Sequence, residues 1–234
     1  MKKTLTSLAV ASALTFGASV QAAPIFNYTQ YADIDGEAGH SALVKTEDGV
    51  TVTATAFETG NEQNSYYAYL DGSSYGEPGG LGVCKTLGVV AGVADQCTPS
   101  NDDNVQFGET LRLSFENAVS INGISFLNGE HVAKFRSWTT DTNPDSYVDT
   151  QVKITVDGST THIVDLAAYV DFNDLGIDLS GSVFDFSVAY NYDYLAYAPA
   201  NQFYISGVSV PAPAPLALLA LGLMGFAAAS RKKA

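Results

Sequence analysis

Hydrophobic and polar positions alternate in short runs along most of the chain between residues 50 and 210, and turn residues separate the runs. Because successive side chains of a β-strand point to opposite faces of a sheet, this two-residue period predicts half-buried strands. About ten strands are expected, of which the clearest are 50–57, 65–70, 110–115, 119–126, 132–138, 151–156, 162–166, 184–190 and 203–210.

One pair of predicted strands flanks Asp157 and Gly158. An Asp-Gly pair tolerates the positive φ angles of a tight turn, so residues 151–166 are expected to form a hairpin. Apart from a short helix predicted between 165 and 178, no helical period of apolar residues occurs outside the two ends of the chain. The pattern favours an all-β domain, an antiparallel two-sheet sandwich of jelly-roll-like type.

The first 22 residues have the parts of a secretory signal peptide. Lys2 and Lys3 precede an apolar stretch, and Ala22 ends a run of small or compact residues. We expect signal peptidase to remove residues 1–22, because a cut after Ala23 would place Pro24 next to the scissile bond. The alternative is an uncleaved membrane anchor, but the apolar run is short for a helix that spans a membrane.

A second apolar segment, residues 215–230, lies near the other end and precedes the basic cluster Arg231, Lys232 and Lys233. As a helix, residues 215–229 would rise about 22 Å against about 30 Å of hydrocarbon, so we expect a marginal transmembrane helix. The basic cluster favours a cytoplasmic C-terminus, which leaves the domain between the two apolar segments outside the membrane.

The C-terminal residues together resemble a PEP-CTERM sorting signal, also labelled an ice-binding protein C-terminal domain. The resemblance covers residues 210–234 and rests on the order of three parts: a short proline motif, an apolar helix and a basic cluster. The motif consists of Val210, Pro211, Ala212 and Pro213, with Ala212 where the family usually has Glu.

This resemblance implies that an exosortase, a membrane cysteine protease, recognises and removes the tail during export to the cell surface. Proteins of this type are associated with exopolysaccharide and biofilm production in Gram-negative bacteria. An ordinary C-terminal anchor that is never cleaved is the alternative. The chain would then divide into a signal peptide (1–22), an exported β domain (23–209) and a sorting tail (210–234).

The expected exported domain is strongly acidic. All 25 acidic residues lie between Asp33 and Asp193, and the domain contains six of the 11 basic residues, which gives it a net charge of −19. A surface of this charge repels phosphate groups, so nucleic-acid binding is excluded. Hydrophobic residues make up 46% of the chain, which is sufficient to form a core.

Cys84 and Cys97 are predicted to form a disulfide, because an exported chain meets an oxidising compartment. The bond would close a loop of 14 residues, which stabilises a fold by about 3 kcal/mol. A redox pair or half of a metal site would require a CxxC spacing or neighbouring His residues, which the sequence lacks.

No motif in the sequence indicates catalysis. Residues 72–76 match the GxSxG pattern of hydrolases, but the following residues, 77–80, are unsuited to the helix that must come after the nucleophile. The three His residues are scattered and form no HExxH motif. We therefore expect a noncatalytic protein.

Acidic clusters that contain Asn are candidate Ca²⁺ sites, because hard oxygen ligands can converge there. Asp141, Asn143 and Asp145 place oxygens at alternate positions, although the residues that follow exclude an EF-hand. Asp102 and Asp103 form a second candidate and residues 171–174 a third. In each case the alternative is that the side chains form Asx turns or are solvated carboxylates. The sequence indicates no other cofactor.

Tyr190, Tyr192 and Tyr194 alternate, so in a strand they would share one face of a sheet. Such a face can stack against the apolar side of a sugar ring, and ordinary cross-strand aromatic pairing is the alternative. We therefore expect an exported protein of the envelope, cell surface or matrix that acts by adhesion or association with exopolysaccharide.

Two other functions stay open at this point. A secreted hydrolase of polysaccharides or esters would need convergent carboxylates or a Ser-His-Asp arrangement. An ice-interacting surface is suggested by the alternate family label and by the row Thr51, Thr53 and Thr55.

Overall fold

The computed structural model describes residues 25–72, 78–128, 151–166, 179–189 and 202–210. Fourteen strands and one helix lie within these residues. In chain order they are β1 (Ile25–Asn27), α1 (Tyr28–Asp35), β2 (Ala38–His40), β3 (Leu43–Glu47), β4 (Val50–Glu58), β5 (Asn61–Asp71), β6 (Gly80–Cys84), β7 (Leu87–Val90), β8 (Val93–Cys97), β9 (Glu109–Ile121), β10 (Gly123–Asn128), β11 (Gln151–Val156), β12 (Thr160–Asp165), β13 (Leu179–Val188) and β14 (Phe203–Ser209).

The described strands pair only in the antiparallel sense, which confirms the all-β prediction. Twelve of them form one sheet in the order β1-β14-β6-β5-β4-β9-β13-β11-β12, with β10, β2 and β3 attached to β14, β5 and β4. The strands β7 and β8 form a separate two-stranded sheet.

Strand β5 connects the two halves of the large sheet. Its first part pairs with β4, where Tyr66 lies opposite Ala56, and its second part pairs with β6, where Tyr67 lies opposite Cys84. The sequence predicted two separate sheets. Twelve of the described strands instead form one sheet that continues from one layer into the other, because β5 has eleven residues and is long enough to pair in both.

The core lies between these two layers. Rings from the first half of the sheet meet rings from the second: Phe26 of β1 contacts Phe115 of β9 at 6.1 Å between centroids, and Phe126 of β10 contacts Phe186 of β13 at 6.5 Å. Alternate residues of β4 and β9 face this core, as the two-residue period predicts.

Several sequence predictions can be compared directly with the structure. The hairpin around Asp157 and Gly158 is confirmed, with φ angles of 47° and 68° and with β11 paired to β12. The predicted strand 119–126 is interrupted, because the chain changes layers at Asn122, between β9 and β10. Residues 132–138 and 167–178 lie outside the described residues.

Helix α1 was not predicted. Its eight residues are largely polar, and only Tyr28 and Ala32 are buried, so the sequence carries no helical period long enough to detect. The Asn27 side chain accepts a hydrogen bond from the backbone N–H of Gln30 at 3.0 Å and caps the first turn.

The predicted disulfide between Cys84 and Cys97 is present, with a Cα–Cα distance of 5.7 Å. Cys97 lies opposite Leu87 at the base of the β7–β8 hairpin, so the disulfide connects this hairpin covalently to the end of β6. The Tyr69 hydroxyl accepts a hydrogen bond from the Cys97 N–H and donates one to Glu37, which fixes the same base noncovalently.

Replacing both Cys84 and Cys97 with Ser is expected to lower the free energy of unfolding by about 3 kcal/mol, because the unfolded chain gains the freedom of an open loop. Urea denaturation under oxidising conditions measures this difference. In the presence of a thiol reductant the wild-type and variant curves should coincide. An equal gap in both conditions would contradict a stabilising role for the bond.

Candidate functional site

Strand β14 brings the chain to the start of the predicted sorting tail. Ser209 lies opposite both Ile25 of β1 and Gly123 of β10, and its carbonyl accepts a hydrogen bond from the Asn122 N–H at 3.0 Å. Val210 follows and is 0% exposed. The first residue of the predicted motif is therefore part of the core.

The other predicted sorting residues lie outside the described residues. They are Pro211, Ala212, Pro213, the apolar segment 215–230, and Arg231, Lys232 and Lys233. The predicted signal peptide, residues 1–22, lies outside them as well. Within the part of the chain that the structure describes, no helix is long and apolar enough to cross a membrane.

A buried group of carboxyl and hydroxyl side chains lies beside β5, β6 and β14. The Tyr204 hydroxyl donates to Asp103 Oδ1 at 2.8 Å and also forms a hydrogen bond with Asp71. Asn104 Nδ2 donates to the same Asp103 oxygen at 2.8 Å. A Cβ atom at Gly82 would lie 1.9 Å from the Asp103 carbonyl oxygen, so only glycine allows this close approach to β6.

Burial raises the pKa of Asp71 from its ordinary value of 3.8 to about 8, and the charge of Asp103 adds to the effect. The hydrogen bond with the Tyr204 hydroxyl acts in the opposite direction and lowers the pKa of Asp71, but burial has the larger effect.

Asp102, the neighbour of this group, forms an ion pair with Lys85 at 3.1 Å from Oδ1 to Nζ. Lys85 Nζ also contacts Glu109, a fully buried residue that accepts a hydrogen bond from the Gln106 N–H at 2.8 Å. Burial raises the pKa of Glu109 to about 7, while the ammonium group of Lys85 acts in the opposite direction.

The predicted Ca²⁺ ligands Asp102 and Asp103 thus both bind partners within the protein. Among the described residues, no group of three or more His, Cys, Asp or Glu side chains has an arrangement that could hold a metal ion. Asp141, Asn143 and Asp145 lie outside the described residues, and so do Tyr190, Tyr192 and Tyr194. The roles of these two sets stay predictions.

The GxSxG segment lies between two paired strands. Asp71 at the end of β5 is opposite Gly80 at the start of β6, and Pro78 and Gly79 lead directly into β6. Residues 73–77 are outside the described residues. A nucleophile elbow requires a strand, a tight turn and then a helix, and here a strand follows within a few residues.

A groove of about 290 Å³ lies where β9 departs from regular pairing. Ser114 is opposite Val183 and Val119 is opposite Gly181, so four residues of β9 face the single residue Ser182 of β13. The groove is lined by Gly49, Val50, Thr51, Phe115, Glu116, Asn117, Ala118, Val119 and Ser120.

Asp157 binds the β13 side of this register shift. Its Oδ1 atom accepts hydrogen bonds from the Ser182 N–H at 3.0 Å, the Ser182 hydroxyl at 3.1 Å and the Val183 N–H at 2.9 Å. The hydrogen bonds from the two backbone N–H groups lower the pKa of Asp157. The register shift is therefore held by specific contacts.

The chemistry of the groove suits a small ligand that is polar at its edge and apolar on its face. Glu116 and Asn117 are exposed and offer a carboxylate and an amide, and the exposed Ala118 and half-buried Val119 supply aliphatic surface. Sequence reasoning missed this groove. The only signal is the run 116–118, which interrupts the apolar alternation between Phe115 and Val119.

The threonine row of β4 lies beside a charged cluster. Thr55 is opposite Arg112, whose guanidinium binds Asp185 at 2.6 Å and Glu62 at 2.8 Å. Thr51 and Thr53 continue the row along the same face. The hypothesis that this threonine row interacts with ice stays a prediction. The surface concerned carries the charged cluster around Arg112 at one end.

The raised pKa of Asp71 is expected to make stability pH-dependent. The folded protein retains a proton that the unfolded chain releases above about pH 4, so this contribution to stability is complete below pH 4 and is lost as pH rises to about 8. Asp71→Asn cannot ionise. Its melting temperature should therefore fall less than that of the wild type over this range, by roughly 2–4 °C per kcal/mol of ionisation cost.

Calorimetry at pH 4 and pH 8 measures this difference. The matched control is Asp48→Asn, since Asp48 is an exposed turn residue with a φ of 47° that Asn also tolerates. Parallel pH profiles for the wild type and Asp71→Asn would contradict the buried, protonated state.

Comparison with known families agrees with the reading of the C-terminal residues. Residues 209–232 match the model of the PEP-CTERM protein-sorting motif, and the match begins at the last residue of β14. Comparison with curated proteins and with solved structures gives no match. The resemblance inferred from the proline motif and the basic cluster is thus confirmed. The C-terminal segment of this chain therefore matches a PEP-CTERM sorting motif, and such a motif implies export and processing by an exosortase-like enzyme.

Proposed function

We propose that this chain is a noncatalytic protein of the cell surface or extracellular matrix, and that its exported β domain associates with exopolysaccharide. The sorting motif at residues 209–232, directly after an acidic β domain, is the observation that carries this proposal. The buried disulfide fits delivery to an oxidising compartment.

The apolar segment 215–230 would hold the domain at the membrane before processing. The basic cluster that follows it favours a cytoplasmic end, and the signal peptide sequence favours an exported beginning, so both favour an acidic domain on the outer side. Removal of the tail would then convert a membrane-held precursor into a surface or matrix protein.

Two features support a noncatalytic role. The GxSxG segment leads into a strand rather than a helix, so it lacks the surroundings of a hydrolase nucleophile. The paired carboxyl groups of Asp71 and Asp103 are joined through Tyr204, and Asp71 is buried, so this pair is not placed to meet a polysaccharide.

The groove at β9 supports a glycan ligand. Asn117 and Glu116 can hydrogen-bond sugar hydroxyl groups, while Ala118 and Val119 can contact the C–H face of a ring. The net charge of −19 disfavours polymers that carry uronic acids or phosphate. We therefore propose neutral or amine-bearing sugars as the ligand class.

Deleting residues 211–234 is expected to release the domain in soluble form, because no other segment after the signal peptide is long and apolar enough in sequence to span a membrane. Immunoblots of membrane and medium fractions measure the partition. A chain that lacks only residues 231–234 is the control and should stay with the membrane. Membrane retention of the longer deletion would refute the anchoring role of the tail.

Asn117→Ala is expected to weaken binding of the exported domain to neutral exopolysaccharide by about tenfold, the effect of losing one hydrogen bond to the ligand. The probe is exopolysaccharide from the producing cells, separated by anion exchange into neutral and anionic pools. Gln63→Ala, which removes an exposed amide outside the groove, is the control and should bind as the wild type does. Equal binding by both variants would rule out the groove as the site.

A further inference from the structure

An amine and two carboxyl groups meet at the base of the β7–β8 hairpin. Lys85 follows β6, Asp102 lies in the segment after β8, and Glu109 is the first residue of β9. Lys85 Nζ lies 3.1 Å from Asp102 Oδ1 and also contacts Glu109 Oε1. Three separate segments of the chain thus bring one primary amine into direct contact with two carboxyl groups.

The three side chains form a gradient from the interior to the surface. The Glu109 side chain is 0% exposed, that of Asp102 is 15% exposed and that of Lys85 is 41% exposed. The Lys85 ammonium also lies over the Tyr66 ring, 5.9 Å from its centroid. The contact of Nζ with Glu109 is therefore on the interior side, whereas the contact with Asp102 lies nearer to the solvent.

Backbone N–H groups hold each carboxyl group in a fixed orientation. The Gln106 N–H donates to Glu109 Oε2 at 2.8 Å, and Oε1 is left to contact Lys85. The Lys85 N–H donates to Asp102 Oδ2 at 3.3 Å, while Nζ of the same residue lies at Oδ1. Attack of an amine on a carboxyl carbon requires a fixed approach of this kind, which replaces an encounter in solution.

The burial of Glu109 is not needed for an ordinary ion pair between Lys85 and Asp102. A buried carboxylate is costly, because a half-exposed partner compensates only part of its lost hydration. Burial raises the pKa of Glu109 to about 7, although its contact with Lys85 acts in the opposite direction. A carboxyl group of this pKa can take a proton from an amine and return it to a departing oxygen near neutral pH.

The Lys85 amine is mostly protonated. Burial lowers its pKa, but the hydrogen bonds to Glu109 and Asp102 outweigh burial and raise the pKa above the ordinary value. A small fraction of neutral amine is sufficient, because a bond within the chain has to form only once in the lifetime of each molecule.

We propose that Lys85 and Asp102 form an isopeptide bond and that Glu109 is the catalytic residue. Glu109 Oε1 takes a proton from the ammonium group, and the lone pair of Nζ attacks Cγ of Asp102. The Lys85 N–H binds the negative charge that develops on Oδ2. The bond from Cγ to Oδ1 then breaks, and this oxygen leaves as water with two protons that came from Nζ. Glu109 ends in its original state, and no atom is oxidised or reduced.

The bond closes residues 85–102 around the β7–β8 hairpin, beside the loop that Cys84 and Cys97 close. Thiols cut the disulfide but do not cut an amide. The base of the hairpin therefore stays covalently closed in reducing as well as oxidising surroundings.

Trypsin digestion of the full chain in detergent, followed by mass spectrometry, tests the bond. After reduction of the disulfide, an unlinked chain gives peptides 46–85 and 86–112, because trypsin cuts after free Lys and Arg. With the bond, cleavage after Lys85 is lost and one peptide, 46–112, appears, lighter than its sequence by the mass of one water. Complete cleavage after Lys85 overturns the proposal. Loss of water from a chain that is still cut there also overturns it, since a cyclic imide at an Asp residue has the same mass.

Two variants test the roles of the groups. Lys85→Arg is the matched control, because it keeps the positive charge but supplies no amine, and it should be cut after position 85 without loss of water. Glu109→Gln keeps an acceptor for the Gln106 N–H but cannot take a proton, so the linked peptide should form about a hundredfold more slowly. The fraction of peptide 46–112 in chains of equal age measures this rate.

Linkage of Glu109→Gln at the wild-type rate would overturn the catalytic assignment of Glu109. Circular dichroism of the same sample establishes that the variant is folded. If it does not fold, the digestion of the wild-type chain still decides whether the bond exists.

Discussion

The packing of one sheet layer against the other depends on the passage of β5 between them. Its first residues extend the layer that contains β4 and β9, and its last residues extend the layer that contains β6 and β14. The edge-to-face contact of Phe26 with Phe115 can form only when the two layers are closed in this way. The buried carboxyl groups, the disulfide-closed hairpin and the end of β14 all take their positions from that closure.

The sequence was informative where one face of a strand is buried and the other is not. Strands β4 and β11 alternate cleanly, and Asp157-Gly158 specified the turn between β11 and β12, so these elements were predicted. Strand β6 was not, because all five of its residues are buried and two of them, Gly80 and Gly82, approach neighbouring atoms too closely to carry a side chain. The disulfide followed from the compartment and the spacing of two cysteines.

The candidate sites depend on information that a linear pattern does not contain. Asp71, Asp103 and Tyr204 are far apart in the chain, and only the neighbouring positions of β5, β6 and β14 bring them together. The groove at β9 results from a mismatch in register with β13, and such a mismatch is a property of a pair of strands. The sorting motif, in contrast, is a contiguous order of parts and was recognised from the sequence.

The position of β14 also links the order of export to the order of folding. Residues 25–27 and 207–209 are paired in the sheet although they lie at opposite ends of the domain. In a chain that crosses the membrane from its N-terminus, β1 cannot pair with β14 until nearly the whole domain has emerged. In such a chain the pairing of β14 with β1, β6 and β10 is the last among the described strands to form, because β14 is the last of them in the sequence.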